Sequence, residues 1–165
     1  MKLGLDIGGV IVEELKERID PNDWNKVFLQ VPFLAGVFEA LASLKKCFGR
    51  EIFIVSKISE NLEPLSREYL RYHRFFEQAG ISPDHLYYCR TREEKAPICR
   101  GLGITDFVDN RLEVLGQMAG VVPRRYLFCP DAGECARFPE FLTSVSIVTS
   151  WPVAVQKILE LNLPY

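Results

Sequence analysis

Leu3-Gly4-Leu5-Asp6-Ile7-Gly8-Gly9-Val10-Ile11-Val12 is the stretch on which the fold turns. It is apolar, rich in glycine and β-branched residues, and too poor in helix formers to coil, so it reads as a buried strand broken at Asp6. Working outward, further apolar runs follow at Ile52–Val55, Leu86–Cys89, Ile104–Val108, Tyr126–Cys129 and Val145–Val148. Between them lie segments with helical spacing. Val37–Phe48 carries Val37, Leu41 and Leu44 on one face, and Asn61–Ala79 carries a stripe of Leu62, Leu65, Tyr69 and Tyr72 before a capping Gly80. Shorter helices are predicted over Glu93–Leu102 and Arg111–Ala119, and a last one opens at Ser150-Trp151-Pro152. A polar stretch from Glu13 to Gln30 holds the turn Asp20-Pro21-Asn22-Asp23 and a short helix around Trp24. Strands alternating with helices predict an α/β fold: a three-layer α/β/α, Rossmann-like domain around a mainly parallel sheet, spanning residues 1–165.

Composition narrows the classes of function. A net charge of −2 gives no global attraction to nucleic acid or to an anionic membrane, and no apolar stretch approaches a membrane span. Lys45, Lys46, Arg124 and Arg125 read as solvated surface. Asp6 interrupts the first apolar run, and Glu13, Glu14 and Glu17 follow, so nothing there reads as a signal peptide and cytoplasm is the expected compartment. Five cysteines make no paired framework. Cys47, Cys89, Cys99 and Cys129 are expected as buried free thiols, and the Cys129/Cys135 pair lacks zinc-site spacing.

In parallel sheets ligands sit at the carboxyl ends of strands. Four polar groups fall there: Asp6 after the first strand, Ser56 after the second, Lys95 opening a helix, and Asp109-Asn110 after the strand Ile104–Val108. Each alone is a common cap, turn or surface residue. In this order they resemble the four motifs of the haloacid-dehalogenase-like (HAD) superfamily, carried by Leu3–Val10, Ile52-Phe53-Ile54-Val55-Ser56, Lys95 and Phe107-Val108-Asp109-Asn110-Arg111. Leu34-Ala35-Gly36-Val37-Phe38-Glu39-Ala40-Leu41 resembles the helix leading into the second motif.

The resemblance implies a Mg²⁺-dependent hydrolase of phosphatase type. It would hold the metal through the Asp6 carboxylate, the Gly8 main-chain carbonyl and the Asp109 carboxylate. Asp6 would be the nucleophile, passing through an aspartyl-phosphate; Ser56 would donate to a phosphate oxygen, and Lys95 would balance the charge. The sequence departs from the pattern at Gly8, where family phosphatases carry a second aspartate that protonates the leaving group. Asn110 also stands where an acid is common. Loss of general acid–base catalysis removes on the order of 10²–10⁴-fold. A weakly active enzyme and an inactive HAD-like binding or regulatory protein are therefore both open.

The segment between the first two motifs leaves room for little or no cap, so the expected partner is a phosphorylated substrate or ligand, including a macromolecular one. Leu5-Asp6-Ile7-Gly8-Gly9 also resembles the phosphate turn of actin-like sugar kinases, but 165 residues cannot supply their two lobes. A receiver domain would need an acidic pair first, where this chain has a lone acid. Arg90 and Arg92 read as solvated, His73 and His85 as surface or partly buried, and Asp106 and Asp131 as structural. Lys57 and Glu13 are the nearby groups that could replace the missing acid.

Overall fold

The computed structural model describes residues 1–14, 23 and 27–163. The turn and short helix read around Trp24 lie largely outside the described residues. Six strands form one sheet: β1 (Leu3–Leu5), β2 (Ile52–Lys57), β3 (Leu86–Cys89), β4 (Asp106–Asp109), β5 (Arg124–Phe128) and β6 (Ser146–Val148). Their order is β3-β2-β1-β4-β5-β6, and every pairing is parallel. The helices are α1 (Val37–Phe48), α2 (Glu63–Tyr72), α3 (Phe75–Ala79), α4 (Lys95–Leu102), α5 (Leu112–Gln117), α6 (Ala132–Arg137) and α7 (Trp151–Asn162). The expected α/β fold with a parallel sheet is what forms.

Alternation along the strands builds a core on each face of the sheet. Leu3, Leu5, Ile52, Ile54 and Val108 point to the side covered by α1 and α7, against Leu41, Leu44, Trp151 and Ile158. Phe53, Val55, Phe107 and Leu127 point to the other side, against Cys99, Leu112, Leu115 and Met118. Gly4 faces Phe107, and a Cβ there would stand 2.4 Å from that ring, so the close approach of β1 and β4 requires glycine. Trp151 ties α7 to the first loop by donating its indole N–H to the Val10 carbonyl at 2.9 Å.

Four readings need correction. The single helix over Asn61–Ala79 is two, α2 and α3, because Arg74 adopts φ 51 and turns the chain between them. Tyr72, placed on the apolar stripe, is 67% exposed. Cys129 is exposed rather than buried, since it follows the last residue of β5 and turns away at φ 46. Arg124 and Arg125 are not free surface cations: Arg124 grips Asp106 with two nitrogens at 2.8 and 2.9 Å, and Arg125 donates to the Leu115 carbonyl at 2.9 Å. Asp106, fully buried, also accepts from Tyr126 and Asn162, which makes it the structural residue expected. Among the described residues no helix is long and apolar enough to cross a membrane.

Candidate functional site

The strand order turns outward in opposite directions on either side of β1, and that switch point opens a crevice at the carboxyl ends of the strands. Register decides which side chains meet there. Leu5 lies level with Ile54 on β2 and Val108 on β4, so the next residue, Asp6, comes beside Asp109 and one step short of Ser56. Asp6 keeps its place by donating its own N–H to the Val108 carbonyl at 3.1 Å. Beyond it the chain turns sharply: the Ile7 carbonyl accepts from Ile11 and Val12, and Gly9 adopts φ 73.

Lys95, from the start of α4, reaches under this turn. Its ammonium lies 3.0 Å from Asp6 Oδ1 and 2.8 Å from Asp109 Oδ2, in a setting where the three residues are 2%, 8% and 0% exposed respectively. Ser56 Oγ donates to the same Asp6 Oδ1 at 2.7 Å. The Arg111 N–H donates to Asp109 Oδ1 at 2.9 Å, as expected where a strand-end aspartate caps the following turn. The structure thus brings together Asp6, Ser56, Lys95 and Asp109; Asp6, Gly8, Ser56 and Lys95 line a cavity of about 170 Å³, and Asp109 lies buried behind Lys95.

Two carboxylates on one ammonium leave an excess negative charge in a nearly dry place. Burial pushes the Asp109 carboxyl up, to about 6, against the pull of Lys95 and with repulsion from Asp6 adding to it. Burial would lower the Lys95 ammonium, but Asp109 and Asp6 together hold it above its ordinary range. The two shifts are consistent: the cation is over-supplied with partners, and the carboxylate with least water carries the mismatch.

Residues beyond the expected set also reach the cavity. Arg92 lines it while pairing with Glu113 at 3.1 Å, so the reading of Arg92 as solvated is only half right. Arg90 instead pairs with Glu63 at 2.5 Å and stays outside. Lys57 lines the cavity; Glu13 lines neighbouring space, and Glu14 rather than Glu13 lines the cavity itself. Glu14 bridges the two loops at the mouth, accepting from Arg111 at 2.6 Å and from Asn110 at 3.2 Å. No sequence signal marks this: Glu14 and Arg111 are 97 positions apart and meet only through the fold. His73 and His85 bond the Leu29 and Ile52 carbonyls, away from the site. Asp131 caps α6 and lines a larger groove of about 960 Å³ beyond Asn110 and Arg111.

Among the described residues no three His, Cys, Asp or Glu side chains gather as a metal cluster. The site's donor set fits a hard cation all the same. It is made of oxygens, it carries the uncompensated charge described above, and Mg²⁺ keeps most of its shell as water, with one or two carboxylates sufficing.

No family model and no curated protein matches this sequence. Solved structures match it in fold. D,D-heptose 1.7-bisphosphate phosphatase from B. bronchiseptica, complexed with magnesium and phosphate, aligns with a TM-score of 0.67 over 97% of this chain and 99% of its own, at 16% identity. A haloacid dehalogenase-like family hydrolase from Xanthomonas campestris aligns with a TM-score of 0.58 over 97% of this chain and 95% of its own, at 13% identity. The chain therefore shares the fold of these two structures, built on a six-stranded parallel sheet.

Proposed function

We propose that this chain binds Mg²⁺ and a phosphate ester at Asp6 and Asp109, and hydrolyses the ester slowly through an aspartyl-phosphate on Asp6. The observation that carries the reading is the pair of carboxylates sharing the Lys95 ammonium at the sheet's switch point. The metal would be held by the carboxylates of Asp6 and Asp109 and the Gly8 carbonyl. When bound, it supplies the positive charge that lets an anionic nucleophile approach an anionic phosphoryl group.

Asp6 Oδ1 is fixed by Ser56 and Lys95, while Oδ2 accepts no hydrogen bond among the described residues. An oxygen of Asp6 would form a bond to phosphorus as the bond to the leaving oxygen breaks and its electron pair departs with that oxygen. Lys95 and Ser56 would then hold the phosphorylated carboxyl and the phosphoryl oxygens. Water must next attack phosphorus to release phosphate and restore the Asp6 carboxylate, and no side chain at position 8 takes its proton. That second step would be the slow one. Magnesium and phosphate binding do not need a side chain there.

Steady-state and stopped-flow assays with p-nitrophenyl phosphate and Mg²⁺ test the reading. Wild type should release about one nitrophenol per chain in a burst, then turn over slowly. Asp6→Asn should release none. Gly8→Asp should raise the slow phase by on the order of 10²–10⁴-fold. A Cβ at position 8 meets nothing within 4 Å, so a side chain can begin there without a clash. Turnover unchanged in Asp6→Asn would sink the proposal, and binding of phosphate without any burst would make the chain a binding protein.

A further inference from the structure

A second cavity, of about 200 Å³, opens beside the phosphate site and shares Gly8, Glu14, Ser56 and Lys57 with it. Its wall includes Val12, Val31, Ile58, Leu62, Tyr69 and Tyr88. Glu13, Glu14 and Lys57 also line it, all three exposed, while the hydroxyls of the deeper wall are already bonded. Tyr69 Oη donates to the Val31 carbonyl at 2.5 Å, and the hydroxyls of Tyr88 and Ser66 are paired. Apart from those three exposed charges, what the wall offers to a ligand is therefore carbon. A polyhydroxylated leaving group would lose its water there and find few partners, whereas a flat apolar one would lose nothing.

Gly8 stands where the two cavities meet. With no side chain, and nothing within 4 Å of where one would begin, it leaves the passage between them open. It also withholds the acid that an alkyl ester needs. An aliphatic alkoxide is a poor leaving group without a proton, but a phenol ionises near pKa 10, as tyrosine does, and departs as phenolate. The wall chemistry and the missing acid are separate observations, and both select the same substrate class.

Building on the phosphate-ester reading above, we propose that the substrate is an aryl phosphate whose ring occupies this apolar pocket. The Asp6 oxygen forms its bond to phosphorus, the phosphorus–aryl oxygen bond breaks, and the phenolate leaves with the electron pair and takes its proton from solvent.

Binding of phenylphosphonate and methylphosphonate, measured by calorimetry on the whole chain with Mg²⁺, tests the pocket without requiring turnover. Phenylphosphonate should bind on the order of tenfold tighter or more, from burial of the ring. Leu62→Trp and Ile58→Trp, two half-buried positions that can fill the pocket without entering the core, should each bring that ratio towards one. A peptide carrying a phosphonate analogue of phosphotyrosine, run alongside, separates a free aryl ester from one on a protein; a preference over methylphosphonate by either ligand supports the ring pocket. Equal affinity of all three ligands in wild type overturns the aryl proposal and leaves the phosphate site standing. So does a ring preference that survives both tryptophan variants. Binding of none overturns both readings.

Discussion

Replacing Lys95 by methionine removes the ammonium that Asp6 and Asp109 share while keeping the stem that packs near Phe107, whose ring centre lies 5.9 Å from Nζ. The variant would leave two carboxylates facing each other at 8% and 0% exposure. Breaking a buried ion pair by removing one partner costs about 3–5 kcal/mol. For a chain of this length each kcal/mol moves Tm by roughly 2–4 °C, so a fall of roughly 6–20 °C is expected at pH 7. The sign with pH follows. Asp109 is already raised by burial, and without the ammonium it rises further, so its charged form destabilises the fold at neutral pH. Stability returns as pH falls through that folded value towards the ordinary carboxylate range. Calorimetric unfolding at pH 7 and pH 5, with and without excess Mg²⁺, measures this. The Tm loss should shrink at pH 5, and it should shrink at pH 7 when Mg²⁺ replaces the missing charge. A small loss, indifferent to both pH and metal, would refute the claim that Lys95 balances buried charge.

Other outcomes follow from the same structure. In the metal-free protein the folded Asp109 carboxyl, at about 6, holds its proton more tightly than the unfolded one, so its contribution to stability is full below about pH 4 and lost as pH rises through about 6. The stability of wild type relative to Asp109→Asn should therefore decline between those values; a flat difference in Tm across that range would contradict it. A thiol reagent at pH 8 should label exposed Cys129 first. Cys89 and Cys99, pushed up by burial to about 11 and about 12, should react only on unfolding, and rapid labelling of Cys99 in the native protein would overturn that burial.

The fold was legible where its physics is local. Val37–Phe48 was predicted to its observed ends, because an amphipathic run bounded by Gly36 and Gly49 needs no tertiary information. Leu86–Cys89 was likewise read as observed. The break between α2 and α3 was hidden because Arg74, not glycine or proline, takes the left-handed turn. The helix α6 was missed altogether: its six residues, Ala-Gly-Glu-Cys-Ala-Arg, show too little periodicity to register, and Asp131 signals its start only once the fold is known. At the site, Asp6, Ser56 and Asp109 stand at strand ends and Lys95 opens a helix, and they could be named because their order along the chain resembles the HAD motifs. Glu14 could not, since its value lies in reaching Arg111 and Asn110 across the mouth of the crevice. Cys129 was misplaced because an apolar run does not reveal where its strand leaves the sheet.

A crystal structure grown with Mg²⁺ and beryllium fluoride tests most directly whether Asp6 and Asp109 act together on one phosphoryl group. It should show the fluoride adduct on an Asp6 carboxylate oxygen, with a cation between Asp6, Asp109 and the Gly8 carbonyl and the Lys95 ammonium still in contact. A site containing neither adduct nor cation under saturating conditions, or the adduct on another residue, would contradict that joint action.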